Sequence, residues 1–88
     1  MASYKLFFDH DVEKDLAKNP KVEVRKVMLK VMRLHENPHP PQSLKLESSD
    51  KTFRLRVGDY RTIYQIDEGP KTITVYRVRH RKDAYRSR

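Results

Sequence analysis

The sequence predicts an α+β fold in which two N-terminal helices cover one face of a mostly antiparallel sheet, in the order β-α-α-β-β-β. Three observations support this prediction. Apolar residues recur at helical spacing early in the chain, the period changes to two after a proline-rich segment, and two turn signals divide the remainder into strands. Two amphipathic helices can bury their apolar sides on one sheet face, so this arrangement is the simplest solution. With 88 residues, the chain 1–88 is expected to form a single domain.

The first half of the chain predicts a short strand followed by two helices. The stretch SYKLFF alternates like a strand, and Asp9 is a candidate N-cap for a first helix with Val12 and Leu16 on its buried side. That helix is expected to stop near Asn19. A second, longer helix is expected from Pro20, because proline suits a first helical position. Its buried side comprises Val24, Val27, Met28, Val31 and His35.

The second half of the chain predicts three strands after a linker. The segment ENPHPPQS, residues 36–43, contains three prolines and is expected to join two elements inside the domain. Beyond it, the stretches KTFRLRV, YRTIYQID and KTITVYRVRH alternate with a period of two. The dipeptide GD leaves two residues between Val57 and Tyr60, which is the length of a tight hairpin, and EGP closes the next turn.

The first of these hairpins separates apolar from basic side chains. Its apolar face comprises Phe53, Leu55, Val57, Tyr60, Tyr64 and Ile66. The opposite, open face carries Arg54, Arg56 and Arg61, and the two-residue turn places Arg56 directly across from Arg61. Like charges that face each other across strands cost up to about 1 kcal/mol. An anionic partner is therefore expected between them.

The last strand leaves the placement of its own arginines open. Unbroken alternation puts Ile73, Val75, Arg77 and Arg79 on one face and Tyr76, Val78 and His80 on the other. A bulge near the end of the strand would rotate the last residues and change this assignment. Arg81, Lys82 and Tyr85 follow, and an aromatic ring beside arginines suits stacking against a single-stranded base.

The charge of the chain lies mainly in its second half. The formal net charge is +8; residues 1–44 contribute +2 and residues 45–88 contribute +6. Such a field favours an anionic partner, for example RNA, DNA, an acidic membrane surface or an acidic protein. The alternative is an ordinary solvated surface.

Several classes of protein are disfavoured. The absence of cysteine excludes disulfides and thiolate metal sites. His35 and His39 are four residues apart, but Pro38 interrupts the helix that would align them, so no metal site and no cofactor is predicted. No apolar run reaches the roughly 18 residues of a membrane span, and the N-terminus lacks the apolar core of a secretory signal. A cytoplasmic location without membrane contact is expected.

The pattern LKL…FRLRVGDYRTIYQID…ITVYRVRHRKDAYR, with the upstream strand, helices and proline linker, closely resembles the RelE/ParE superfamily of toxins from toxin–antitoxin modules, and the RelE branch in particular. The resemblance covers nearly the whole chain, and its specific parts are RLRVGDYR, the following IY and the terminal HRKDAY. It implies a RelE-like fold and a ribosome-dependent endoribonuclease that cleaves mRNA codons in the A site and arrests translation. It also implies contacts with 16S rRNA and a cognate antitoxin that wraps the toxin in a hetero-oligomer.

The resemblance further implies roles for individual residues. The catalytic set is Arg56, Arg61, Tyr85, Arg81 and His80. The RNA-binding set is Lys45 and Arg54, to which the basic cluster at the end of the chain adds Arg79 and Lys82. The implied reaction is metal-independent attack by the ribose 2′-hydroxyl on the adjacent phosphorus, which leaves a 2′,3′-cyclic phosphate and a free 5′-hydroxyl. Arg61 and Arg56 would stabilise the phosphorane charge, and Arg81 would lie near the leaving group.

The general base is the point at which the chain departs from the best-known members, which carry lysines where Arg54 and Arg56 stand. Arginine stays protonated in proteins, so neither position can accept a proton. Tyr85 is favoured for stacking and proton transfer, and His80, a residue type with an intrinsic pKa of about 6.5, is its competitor. A purely structural role for His80 is the alternative.

Two other functions are compatible with the sequence. A ParE-like toxin of the same fold would inhibit DNA gyrase and cleave nothing, although ParE-type members tend to lack a complete set of basic residues and tyrosine. A basic RNA-binding module without catalysis would explain the absence of an obvious general base. The retained set favours the nuclease.

Overall fold

A computed structural model of the chain describes residues 3–46 and 51–82. Two helices pack on one face of a five-stranded sheet with strand order β1-β5-β4-β3-β2, which confirms the predicted fold class. The strands are β1 (Lys5–Phe8), β2 (Ser43–Lys45), β3 (Thr52–Val57), β4 (Tyr60–Asp67) and β5 (Thr72–His80), and the helices are α1 (His10–Ala17) and α2 (Lys21–Met32), extended by a 3-10 turn at Arg33–His35. Among the strand pairings of the described residues, only that of β1 with β5 is parallel.

The predicted helix boundaries agree with local capping chemistry. Asp9 is the N-cap of α1, and its Oδ2 accepts a hydrogen bond from the backbone N–H of Asp11 at 3.2 Å. Pro20, the predicted first helical residue of α2, has extended backbone geometry and is its N-cap, so the helix begins one position later, at Lys21. The two helices are therefore separated by a short connection, which holds both against the same sheet face.

The core lies between the helices and the apolar face of the sheet. It is formed by Tyr4, Val12, Val27, Val31, Leu34, Leu55, Tyr60, Tyr64, Ile66, Ile73, Val75 and Val78. Tyr64 is fully buried, and its hydroxyl donates to the carbonyl of Pro38 at 2.8 Å, which ties the proline segment to the sheet. Burial raises the pKa of Tyr64 to about 12, so the hydroxyl remains a donor at neutral pH.

The strand β2 adds to the four strands of the predicted order. Ser43–Lys45 pairs antiparallel with β3 at the sheet edge, with Leu44 opposite Arg54, so the predicted linker ends in a strand residue. A three-residue edge strand is too short to show a period of two. This segment is a strand because its backbone pairs with the neighbouring β3.

The β3–β4 hairpin has the predicted register. Val57 lies opposite Tyr60 and Arg56 opposite Arg61, and Gly58 adopts a φ of 58° in the two-residue turn. A Cβ at Gly58 would meet no atom within 4 Å, so the backbone conformation, not space, favours glycine there.

No helix in the described ranges, 3–46 and 51–82, is long and apolar enough to span a membrane.

Candidate nucleic-acid interface

Four arginines on three adjacent strands form what we call the basic face: Arg54, Arg56, Arg61 and Arg79. Arg61 on β4 lies opposite Arg56 on β3 and also opposite Arg79 on β5. Three of the four arginines therefore stand in one row across the sheet, on the side away from the helices. The hairpin prediction for Arg54, Arg56 and Arg61 is confirmed, and Arg79 joins them.

Within the described residues, the arginines of the hairpin form no ion pair. Among residues 3–46 and 51–82, no carboxylate oxygen lies within 4.0 Å of Arg54, Arg56 or Arg61. Arg56 and Arg61 are exposed, so water screens part of their mutual repulsion. This surface suits an external anion, because no carboxylate of the described residues forms an ion pair with these side chains.

Arg56, Arg61 and Arg81 line a common pocket of about 180 Å³ together with the Gly58-Asp59 turn and Tyr60. The backbone N–H of Arg81 donates to the carbonyl of Asp59 at 2.8 Å, which holds the residue after β5 against the hairpin turn. Three of the five predicted catalytic residues are thus brought together. Guanidinium groups that converge in this way can grip the oxygens of a phosphate from several sides.

His80 lies on the other face of the sheet. It stands opposite Tyr60 in the register, and the two rings meet edge to face with centroids 5.0 Å apart. Its Nδ1 accepts a hydrogen bond from the backbone N–H of Lys82 at 3.1 Å, which leaves Nε2 for any other partner. His80 and Lys82 line a second pocket, of about 450 Å³, which shares Asp59 and Tyr60 with the first.

The other predicted site residues lie at different places. Lys45 pairs with Phe53 on the edge strand, so its side chain belongs to the face opposite Arg54. Lys82 lines the pocket of His80 and not that of Arg81. Tyr85 lies outside the described residues.

Sequence reasoning missed a buried acidic residue, Asp15 on α1, which is 4% exposed. Its Oδ2 accepts from Arg77 Nε and from the backbone N–H of Val78, and its Oδ1 accepts from Arg77 Nη2, each at 2.9 Å. We call this arrangement the Asp15 clamp. Burial alone would raise the pKa of Asp15, but the hydrogen bonds from Arg77 and Val78, with the charges of Arg77 and Arg79, outweigh it and hold the pKa below its ordinary value.

A signal for this clamp is present in the sequence. Asp15 follows Val12 by three positions and precedes Leu16, so it falls on the predicted buried side of the first helix. A carboxylate on such a face needs a buried partner, and the arginine-rich last strand supplies it.

One cluster of potential metal ligands occurs in the part of the chain that the structure describes. Asp9, His10 and Asp11 bring one ligand atom each within 4.8 Å of one another at the start of α1. Asp9 already accepts a hydrogen bond as the helix cap. We assign the cluster to capping, since exposed acidic groups at a helix start favour the positive end of its dipole.

Comparison with known proteins places the chain in a family. The profile of the family described as ParE toxin of type II toxin-antitoxin system, parDE, matches residues 6–85. The toxin RelG of Mycobacterium tuberculosis is 49% identical over 35 residues, which is 40% of each chain. Among solved structures, the RelE–RelB complex of Pyrococcus horikoshii aligns with a TM-score of 0.79 and 28% identity over 90% of this chain and 96% of that one. The RelBE2 toxin–antitoxin complex of Mycobacterium tuberculosis aligns with a TM-score of 0.75 and 30% identity over 89% and 98%.

The matched region includes both helices, the basic face and the Asp15 clamp. The fold, the register of the hairpin and these comparisons agree with the resemblance found in the sequence. The chain therefore belongs to the ParE toxin family of type II toxin–antitoxin systems, within the RelE/ParE superfamily.

Proposed function

We propose that the chain is a ribosome-dependent mRNA endoribonuclease, which cleaves codons in the A site and arrests translation until a cognate antitoxin neutralises it. The observation that carries this proposal is the row formed by Arg56, Arg61 and Arg79, extended by Arg81 in the adjoining pocket. A sheet selected for stability alone would not align like charges across three strands. RNA phosphates are the anions that such a row fits best.

The proposed reaction begins with attack by a ribose 2′-hydroxyl on the adjacent phosphorus. The phosphorane gains negative charge on its non-bridging oxygens, and Arg56 and Arg61 are positioned to stabilise that charge as the bond forms. The bond from phosphorus to the 5′-oxygen then breaks, Arg81, beside the turn, stabilises the departing oxygen, and the proton removed from the 2′-hydroxyl is returned to that oxygen by the group that transfers protons. The products are a 2′,3′-cyclic phosphate and a free 5′-hydroxyl; the nucleophile belongs to the RNA itself, and the proposed reaction is metal-independent.

Proton transfer is assigned to Tyr85, with His80 as the alternative. The assignment of Tyr85 rests on the family pattern alone. His80 lies on the helix side of the sheet, and only its Nε2 remains for a substrate proton. This placement favours a structural role for His80, whose ring packs edge to face against Tyr60.

RNA binding is proposed to extend beyond the reacting phosphate. Arg54 and Arg79 extend the binding along and across the strands of the basic face, whereas Lys45 and Lys82, which lie off that face, would contact more distant phosphates, including those of 16S rRNA. Electrostatic contacts of this kind depend strongly on salt.

An antitoxin is the proposed protein partner, because the solved relatives from Pyrococcus horikoshii and Mycobacterium tuberculosis are toxin–antitoxin complexes. An acidic segment of that partner would cover the basic face in the hetero-oligomer. Inhibition of DNA gyrase without cleavage is the second candidate, favoured by the ParE description of the matching family.

Primer extension on cellular mRNA after induced expression separates the candidates. The nuclease is expected to leave new 5′ ends within translated codons, and ribosome-free RNA is expected to stay intact. Loss of DNA supercoiling by gyrase, without new 5′ ends in mRNA, would support the gyrase inhibitor instead. Translation arrest with neither effect would support a non-catalytic RNA-binding module and contradict the proposal.

A further inference from the structure

We infer that Asp15 is a positioning residue of the cleavage site: through Arg77 and the backbone of Val78 it fixes the β-bulge that aligns Arg79 with Arg61 on the basic face. The effect on cleavage rests on the proposed function. The effect on strand register does not.

The bulge decides which arginines of β5 reach the basic face. Ile73 and Val75 are buried, so unbroken alternation would send Arg77 and Arg79 towards the core. The register instead shifts by one residue, because Tyr64 pairs with Val75 whereas Ile63 pairs with Arg77. Tyr76 is the extra residue on β5.

The last residues of β5 are rotated by this shift. Val78 is buried at 1% exposure opposite Thr62, and Arg79 lies opposite Arg61. Without the bulge, continuation of the pairing from Tyr64 would set Val78 opposite Arg61. The basic row would then lose its third member.

The Asp15 clamp grips the chain directly after the extra residue. β1 ends at Phe8, opposite Val75, so within residues 3–46 and 51–82 no strand pairs with β5 on that edge beyond the bulge. α1 takes the place of a strand there. Asp15 Oδ2 accepts hydrogen bonds from the backbone N–H of Val78 and from Nε of Arg77, and Asp15 Oδ1 accepts one from Nη2 of Arg77. One buried carboxylate thus fixes both the side chain and the backbone that define the register.

The chemistry of the clamp requires an acceptor at both oxygens. Asp15→Asn keeps the size of the side chain but places an amide N–H against the donors of Arg77, which already point at that position. Arg77→Lys keeps the positive charge but cannot span both oxygens with a planar fork. Glu13→Gln, an exposed position on the same helix, is the matched control.

The test measures register and cleavage in the same variants. Backbone nuclear Overhauser contacts between Arg61 and Arg79, and between Ile63 and Arg77, are expected in the wild type and in Glu13→Gln and are expected to be lost in Asp15→Asn. At a temperature where all variants are folded, kcat for cleavage of ribosome-bound mRNA is expected to fall by about 10- to 100-fold, because the lost register also displaces Arg81, which follows β5; displacement of the RNA-binding Arg79 is expected to raise KM.

Two results would overturn the inference. One is an unchanged register in Asp15→Asn; the other is a changed register with wild-type kcat. If Asp15→Asn does not fold, Arg77→Lys tests the same inference. We then expect a partial loss of the register contacts and a partial fall in kcat. Absence of cleavage by the wild type would contradict the proposed function, and the register contacts would still decide whether Asp15 fixes the bulge.

Discussion

Arginines on neighbouring strands of this sheet meet opposite environments. In the Asp15 clamp, Arg77 makes a bidentate ion pair with a carboxylate that is buried beneath it. On the basic face, Arg56 and Arg61 face each other without a carboxylate within 4.0 Å among the described residues. The difference teaches that charge alone does not identify a functional arginine. A cation with an internal partner stabilises the fold, whereas aligned cations without one are available to a ligand.

The largest expected effect concerns the basic face. Arg61→Ala should reduce cleavage of ribosome-bound mRNA by about 10²- to 10³-fold, the usual cost of removing one preorganised donor to a developing oxyanion. Its free energy of unfolding should not fall, because Arg61 forms no ion pair with a carboxylate among the described residues. Rate measurements with purified ribosomes test the loss of cleavage, and urea unfolding tests the stability. Wild-type cleavage by this variant would remove Arg61 from the site.

The clamp should respond in the opposite way. Asp15→Ala should lower the free energy of unfolding by about 2–3 kcal/mol, less than for a fully enclosed pair because the Arg77 side chain is 36% exposed. Urea denaturation measures this change, with Glu13→Ala on the exposed side of the same helix as control. Equal stabilities of the two variants would show that the clamp contributes nothing.

Acid should weaken the clamp through Asp15 itself. Because its pKa is depressed in the folded protein, the stabilisation is present above the unfolded value of about 3.9 and is lost as the pH falls through the folded value. The stability difference between the wild type and Asp15→Asn should therefore shrink below about pH 4. Unfolding curves recorded between neutral and acidic pH test this, and a constant difference would contradict it.

The smallest expected effect lies on the buried side of β4. Thr62 is fully buried next to Arg61 in sequence, and its Oγ1 has no hydrogen-bond partner among the described residues. Thr62→Val should leave cleavage unchanged and should be neutral or stabilising by at most about 1 kcal/mol. Thermal unfolding and the cleavage assay check both statements. A large destabilisation would indicate a hydrogen bond at this hydroxyl.

Sequence reasoning was sufficient for the hairpin because its two strands constrain each other. A slip of one residue would expose the apolar set that includes Leu55 and Tyr64, so alternation and the two-residue turn fix the register together. The same pattern predicts that Arg56 lies opposite Arg61, and the structure confirms it.

The register of β5 could not be fixed in this way. Both faces of its last residues include apolar and basic side chains, so alternation with or without a bulge is compatible with the sequence. The deciding contact comes from Asp15, which is 62 positions away from Arg77. The face on which His80 lies depends on the same bulge. Unbroken alternation would place His80 on the same face as the arginines of the hairpin, whereas the observed register places it on the helix side.

The central claim is that repulsion along the arginine row is retained for RNA cleavage at a cost in stability. Arg56→Gln tests it most directly, because it removes one charge of the facing pair without emptying the position. We expect the free energy of unfolding to rise by up to about 1 kcal/mol at low salt, and the cleavage rate of the same protein to fall by about 10-fold or more. A variant that is less stable, or that cleaves mRNA as fast as the wild type, would contradict the account.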